Sequence, residues 1–197
     1  MEVFQALTAE GAGADPNQVE DEYSCSSLHI AAGLNQPLSV AALVRAGANV
    51  DLADCSGQTP LCHGSREALI ALLVARAMVN VVAEKGATPL FFAAQDGLLD
   101  ILKLLIKAWG NVNLVTNSTP SSSGTDYVGG FSPLMIATQG GFLEVVELLL
   151  ANGANVHHKS DRGYTALDAA KRFNHPSIEA VLRAHIARLA ATERAGG

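Results

Sequence analysis

One short pattern recurs five times along this chain of 197 residues and divides it into segments of similar length. Each copy begins with Ser or Thr and has Leu at its third position, and successive copies start 33, 29, 44 and 33 residues apart. A repeat of this period predicts supersecondary units that stack side by side, because one unit alone cannot bury its apolar face. The copies are Ser26–His29, Thr59–Cys62, Thr88–Phe91, Ser132–Met135 and Thr165–Asp168.

The residues of each repeat predict a turn followed by two helices. A hydroxyl residue followed by Pro, as in Thr88-Pro89, is typical of a helix start, because the hydroxyl accepts from a free amide and Pro presets the helical φ. Alanine pairs such as Ala93-Ala94 allow two helices to approach closely. The first four repeats then close on Val and a polar residue, at Gly47–Asp51, Arg76–Asn80, Trp109–Asn113 and Gly153–His157.

These openings and closings resemble the ankyrin repeat, and the resemblance covers nearly the whole chain. It implies an all-α fold, a solenoid of stacked helix-turn-helix units with short β-hairpin fingers. We expect a single domain over 1–197. Its predicted parts are an N-terminal half repeat (1–25), repeat 1 (26–58), a shortened repeat 2 (59–87), repeat 3 (88–131) with an inserted loop at 116–130, repeat 4 (132–164), and repeat 5 with a C-terminal cap helix (165–197).

The two ends of the chain are interpreted as caps. Val3 to Leu7 is predicted to be a second helix that precedes the first full repeat. At the other end Pro176 occupies a first helical position, and an apolar stripe at helical spacing follows it. The residues of that stripe are Ile178, Val181, Leu182, Ile186 and Leu189.

Two repeats differ from the others in length. Repeat 2 lacks four residues after His63, which is about one helical turn. It is either a degenerate repeat or a notch used by a partner. The loop at 116–130 adds eleven residues, and it is either a tolerated insertion or a finger that contacts a partner or is phosphorylated.

Arg76 and Trp109 stand where the resemblance implies a helix-ending Gly. A left-handed conformation there costs a non-Gly residue about 1 kcal/mol. Gly110 follows Trp109, so the sequence leaves open a helix end shifted by one residue.

Charge and cysteine content narrow the classes of function. The net charge of −6 argues against a nucleic-acid binder, and no Lys or Arg precedes Arg45. Three cysteines without zinc spacing indicate reduced thiols, so we expect an intracellular, cytoplasmic or nuclear protein. No apolar run is long enough to predict insertion in a membrane.

Motifs for catalysis are missing from the sequence. It contains no P-loop, dinucleotide fingerprint or nucleophile elbow, so we expect no enzyme activity and no cofactor. The histidines have no metal-ligand spacing, and we expect no metal site. By the resemblance, His29 hydrogen-bonds the preceding turn and is structural.

The resemblance implies a module that binds another protein through its hairpin fingers and the concave groove lined by its first helices. The alternative is a dedicated inhibitory or regulatory subunit of one enzyme or transcription factor. We expect a monomer that does not bind nucleic acid and does not insert into a membrane. The candidate partner-binding residues are Glu84, Lys85, Gln95, Asp96, Tyr127, Phe131, Gln139, Arg162, Tyr164, Arg172 and Phe173.

Overall fold

The computed structural model describes residues 15–19, 23–120 and 127–195. The chain forms two compact units, Met1–Glu84 and Lys85–Gly197, and each is described by itself. The predicted helix from Val3 to Leu7 lies outside the described residues.

Every described repeat contributes a pair of helices. The N-terminal unit contains α1 (Ser27–Gly33), α2 (Pro37–Arg45), α3 (Pro60–His63) and α4 (Arg66–Val74). The C-terminal unit contains α5 (Pro89–Gln95), α6 (Leu99–Lys107), β1 (Thr119–Pro120), β2 (Tyr127–Val128), α7 (Pro133–Gly140), α8 (Leu143–Ala151), α9 (Ala166–Arg172) and α10 (Pro176–Ala195). The predicted all-α fold with a short hairpin is confirmed.

The repeated hydroxyl residue caps the first helix of its repeat in the C-terminal unit. The hydroxyl oxygens of Thr88 and Ser132 accept from the amides three residues later, at 3.1 and 3.3 Å. Thr165 caps α9 in the same way. These bonds satisfy amides that a helix start otherwise leaves free, which explains why the pattern recurs at each helix start.

Helices pack in two layers within each unit. In the C-terminal unit the first helices α5, α7 and α9 stack on one another, and the second helices α6, α8 and α10 lie against them. In the N-terminal unit α1 packs on α3 and α2 on α4. The Leu at the third pattern position is buried between the layers, with 0 to 1% exposure at Leu28, Leu61, Leu90 and Leu134.

The shortened repeat has lost part of its first helix. Helix α3 has four residues, whereas α1 and α5 have seven each. Gly64 then leads into the next helix, and a Cβ there would lie 3.3 Å from the Leu69 side chain. The predicted loss of one helical turn is confirmed, and two residues, Gly64 and Ser65, connect α3 to α4.

The inserted loop extends the finger of repeat 3. Strands β1 and β2 pair antiparallel, with Thr119 opposite Val128. Below them, Thr116 and Phe131 close the base of the finger, because the Thr116 amide donates to the Phe131 carbonyl at 3.0 Å. The Phe131 amide donates back to the Thr116 hydroxyl, also at 3.0 Å.

The last helix closes the C-terminal unit. Helix α10 begins at Pro176, as predicted, and packs against α8 and α9. Ile178 and Leu182 are its buried residues, at 2% and 0% exposure, whereas Leu189 is 37% exposed. The buried part of the predicted stripe is therefore its N-terminal half. Within the described residues, no helix has the length and apolar character needed to cross a membrane.

Arg76 and Trp109 adopt the left-handed conformation at their helix ends, with φ of 65° and 67°. The shift of the second helix end to Gly110, which the sequence left open, does not occur. Gly110 is small for another reason, since a Cβ there would lie 2.8 Å from the Leu105 carbonyl oxygen.

Replacing Arg76 with Gly is expected to leave stability unchanged or raise it by up to about 1 kcal/mol, because Gly adopts positive φ without strain. Urea unfolding of the Arg76→Gly chain measures the change. The control is Arg76→Ala, which removes the same side chain but keeps the strain. A clear loss of stability in both variants would show that the Arg76 side chain makes a stabilising contact.

Candidate functional site

The C-terminal unit carries a cleft between the base of the finger and the first helices of repeats 4 and 5. We call it the Tyr164 cleft. Its volume of about 140 Å³ is close to that of an engineered cavity that holds benzene. Its lining comes from the finger base, α7, the turn before α9, and α9 itself, through Gly129, Phe131, Met135, Gln139, Ser160, Arg162, Tyr164, Asp168, Ala169, Arg172 and Phe173.

Four apolar or aromatic side chains give the cleft its character. Met135 is 4% exposed and Phe131 is half-buried. Tyr164 and Phe173 are 47% and 43% exposed, so each ring keeps much of its surface free. Large rings with free surface beside a buried floor are typical of binding anchors.

Two hydrogen bonds to backbone carbonyls fix the finger side of the cleft. The Gly130 carbonyl accepts from the His158 ring nitrogen Nε2 at 2.7 Å, and the Gly129 carbonyl accepts from the Asp161 amide at 3.3 Å. A Cβ on Gly129 would collide with the Asn117 carbonyl oxygen. The finger base therefore lies close on the turn that carries Arg162 and Tyr164.

Positive charge dominates the rim. Arg162 and Arg172 are exposed, and in the described parts of the chain neither forms an ion pair. The Arg172 guanidinium lies 6.0 Å from the centroid of the Phe173 ring. Between residues 159 and 172 the sequence has four bases and two acids, so the local charge is opposite in sign to that of the whole chain.

The carboxylate of Asp168 is held by its own helix start. Its Oδ2 accepts from the Thr165 amide at 2.9 Å and from the Thr165 hydroxyl at 2.7 Å. The hydrogen bond from the Thr165 amide is the larger cause that holds the pKa of Asp168 below its usual range. The hydrogen bond from the Thr165 hydroxyl lowers this pKa further. Asp168 is thus a capping residue, and it leaves both rim arginines available.

Ser160 is the unusual polar residue of the cleft. It is 6% exposed, and its hydroxyl oxygen is the one buried side-chain oxygen or nitrogen that lacks a hydrogen-bond partner among the described residues. Buried polar groups without partners are rare, and each calls for an explanation.

The cleft brings together six of the eleven residues predicted from the sequence: Phe131, Gln139, Arg162, Tyr164, Arg172 and Phe173. Tyr127 lies on β2, near the cleft along the chain, and its side chain is outside the described residues. Glu84, Lys85, Gln95 and Asp96 are exposed, and they do not line the cleft. Glu84 ends the N-terminal unit, whereas Gln95 and Asp96 lie at the end of α5.

Sequence reasoning missed five lining residues: Gly129, Met135, Ser160, Asp168 and Ala169. Met135 and Asp168 occupy the repeat position of His29, which was interpreted as structural. That interpretation suits His29, whose Nδ1 lies 3.2 Å from the Ser26 amide and whose Nε2 lies 3.1 Å from the Gln58 carbonyl. The signal for the other two was that they share the repeat position of His29, which contacts the finger of its own repeat at Gln58.

A second cluster of polar side chains lies near the shortened repeat. His63 Nε2 lies 3.5 Å from Asp54 Oδ2, and the His63 ring stacks edge-on to His29 at 5.8 Å. Burial raises the pKa of the neighbouring Cys62 thiol, which disfavours the nucleophilic thiolate. Nowhere in residues 15–19, 23–120 or 127–195 do three His, Cys, Asp or Glu side chains form a group able to hold a metal ion.

Replacing Asp168 with Ala is expected to destabilise the C-terminal unit by about 1 kcal/mol at neutral pH, through loss of the cap interaction. Its lowered pKa means that this stability is present above the usual Asp pKa and is lost as pH falls through the folded-state value. Urea unfolding of both chains across acidic pH measures the difference, which should shrink as pH falls. A difference independent of pH would show that the charge of Asp168 plays no part.

Comparisons with known proteins agree with this geometry. A family model described as ankyrin repeats matches three times, over residues 28–117, 62–160 and 108–191. A segment of 86 residues is 37% identical to human neurogenic locus notch homolog protein 4. That match covers 41% of this chain and 4% of the length of the human protein. The family matches together extend over most of the sequence, and the chain belongs to the ankyrin-repeat family.

Proposed function

We propose that this chain is a non-catalytic interaction module, an adaptor or scaffold, that binds a partner protein through the Tyr164 cleft. Ankyrin repeats are generally protein–protein interaction modules. The observation that carries the proposal is that half-exposed rings and arginines from repeats 4 and 5 line one cleft beside the finger of repeat 3, and that these arginines form no ion pair with any described residue.

The size of the cleft supports a protein partner. Sites for small molecules and cofactors usually enclose about 300–1,000 Å³. A cleft of about 140 Å³ is smaller and suits one bulky side chain. A partner would insert that side chain and spread its other contacts over the surrounding surface.

The remaining predicted residues of the C-terminal unit would extend the same interface. Gln95 occupies the repeat position of Gln139 one repeat earlier, and both are exposed at the end of a first helix. Asp96 follows the last residue of α5, Lys85 begins the C-terminal unit, and Glu84 ends the N-terminal unit. In this proposal Gln95, Asp96 and Lys85 make weaker contacts at the edge, and Glu84 is a separate candidate contact on the N-terminal unit. The protein acts as a monomer inside the cell, where its three cysteines would stay reduced.

A photo-crosslinking residue placed at Gln139 tests the proposal. The expected result is a defined crosslinked protein from a lysate of the source cell, which then binds the unmodified chain after purification. The matched control carries the crosslinker at Gln95, the same residue type at the same repeat position outside the cleft. We expect weaker crosslinking there.

Equal or stronger crosslinking from Gln95 would contradict a site centred on the cleft. The number and stoichiometry of the crosslinked partners also distinguish an adaptor from a dedicated regulatory subunit. One stoichiometric partner would favour a dedicated regulatory subunit, whereas several weaker partners would favour an adaptor.

A further inference from the structure

We infer that the occupant of the Tyr164 cleft is an acidic segment of a partner protein, with a bulky apolar side chain next to Asp or Glu. This inference rests on the proposed function and adds the chemistry of the partner. It follows from three features of the cleft: its charge, its apolar wall and the unpaired hydroxyl of Ser160.

The charged groups of the cleft indicate that the bound segment is acidic. The carboxylate in the cleft, Asp168, already accepts two bonds from Thr165. The guanidinium groups of Arg162 and Arg172 have no such internal partner within the described residues. Arginine matches carboxylates through two parallel bonds, so acidic side chains at the rim complement both groups.

The apolar wall of the cleft indicates that the bound segment also carries a bulky apolar side chain. Phe131, Met135, Tyr164 and Phe173 surround a space that suits one ring or branched aliphatic side chain. The wall is rigid on the finger side, because both the amide and the carbonyl of Phe131 bond to Thr116. A preformed pocket of this kind lowers the ordering cost of binding.

Comparison between repeats shows why the Ser160 hydroxyl is significant. In repeats 1 and 3 the equivalent side chains hold their own turn, since Asp54 Oδ1 accepts from the Gln58 amide at 2.9 Å and Thr116 Oγ1 from the Phe131 amide at 3.0 Å. The backbone bond at this position is the same in repeat 4, from the Ser160 amide to the Tyr164 carbonyl at 2.9 Å. Among the described residues, the Ser160 hydroxyl forms no such hydrogen bond to its own turn.

Ser160 also lines the cleft, and rotation of its side chain would bring the buried hydroxyl within reach of a polar group of the occupant, which can then supply the missing bond. A hydroxyl beside two arginines favours an acceptor, either a carboxylate or a main-chain carbonyl of the bound segment. The three features therefore require an apolar side chain and acidic groups within one short stretch of the partner.

A phage-displayed library of random short peptides, selected on the full chain, tests this chemistry without knowledge of the natural partner. We expect the enriched peptides to carry Phe, Leu, Ile or Trp within a few positions of Asp or Glu. Their binding should weaken as ionic strength rises, because the rim charges are exposed.

The enriched peptides are then titrated against variants. The double variant Arg162→Gln, Arg172→Gln should weaken binding by about tenfold or more. Its control, Lys103→Gln with Lys107→Gln, removes the same charge from exposed positions on α6 in the same unit. Ser160→Ala should fold at least as stably, since it removes an unpaired buried hydroxyl, yet bind less tightly.

Enrichment of basic or uncharged peptides, or equal loss in both double variants, would overturn the acidic motif. A library that yields no peptide dependent on the cleft would overturn it as well. The proposed function would still stand in either case if the Gln139 crosslink gave a partner. Concentration-dependent self-association abolished by Arg162→Gln, Arg172→Gln would identify a second copy of this chain as the occupant and contradict a separate partner.

Discussion

Replacing Leu149 with Ala is expected to lower the free energy of unfolding of the C-terminal unit by about 2–5 kcal/mol. Leu149 is fully buried on α8, which packs against α6, α7 and α10. Rigid helices on several sides prevent the cavity from collapsing, so both the transfer and the cavity contributions are lost.

Urea unfolding followed by circular dichroism measures this loss. The control is Glu147→Ala, an exposed position on the same helix, where we expect a change within about 0.5 kcal/mol. Similar small changes in both variants would contradict the two-layer packing described for this unit.

Replacing Phe173 with Ala is expected to weaken binding of the crosslinked partner by about 2 kcal/mol or more, which is about 30-fold in Kd. Phe173 is 43% exposed, so the folded chain loses little by its removal. Tyr164→Ala should behave in the same way. Met135→Ala should instead reduce stability as well, because that side chain is 4% exposed.

Trp109→Ala provides the aromatic control for the affinity measurement. Trp109 is 89% exposed and does not line the cleft, so calorimetric titration should show unchanged affinity. A greater loss from Trp109→Ala than from Phe173→Ala would place the binding site at the end of α6 and exclude the cleft.

The fold was predictable because the same residue types recur at the helix starts and packed positions of successive repeats. A hydroxyl residue and a Leu recur at fixed positions of all five openings, alanine pairs follow in three of them, and each copy supports the interpretation of the others. The sequence left two positions open for the left-handed end of α6, because Trp is strained at position 109 and the next residue is Gly. Packing decided it, since Gly110 lies against the Leu105 carbonyl.

Part of the cleft was also predictable, and the reason is again positional. Gln139 and Arg172 stand at one repeat position, and Phe131 and Tyr164 both end their repeats. Ser160 could not be predicted, because its sequence position is the one at which Asp54 and Thr116 hold their own turns. Whether such a side chain finds a partner depends on distances of a few tenths of an ångström, which a pattern of residue types does not contain.

Methyl NMR of the chain labelled at methionine tests the central claim most directly. The sequence has three methionines, of which Met135 lines the Tyr164 cleft and Met78 is 57% exposed in the N-terminal unit. Addition of the crosslinked partner should shift or broaden the Met135 methyl signal and leave that of Met78 unchanged. A response of Met78 with an unaltered Met135 signal would contradict binding at the cleft.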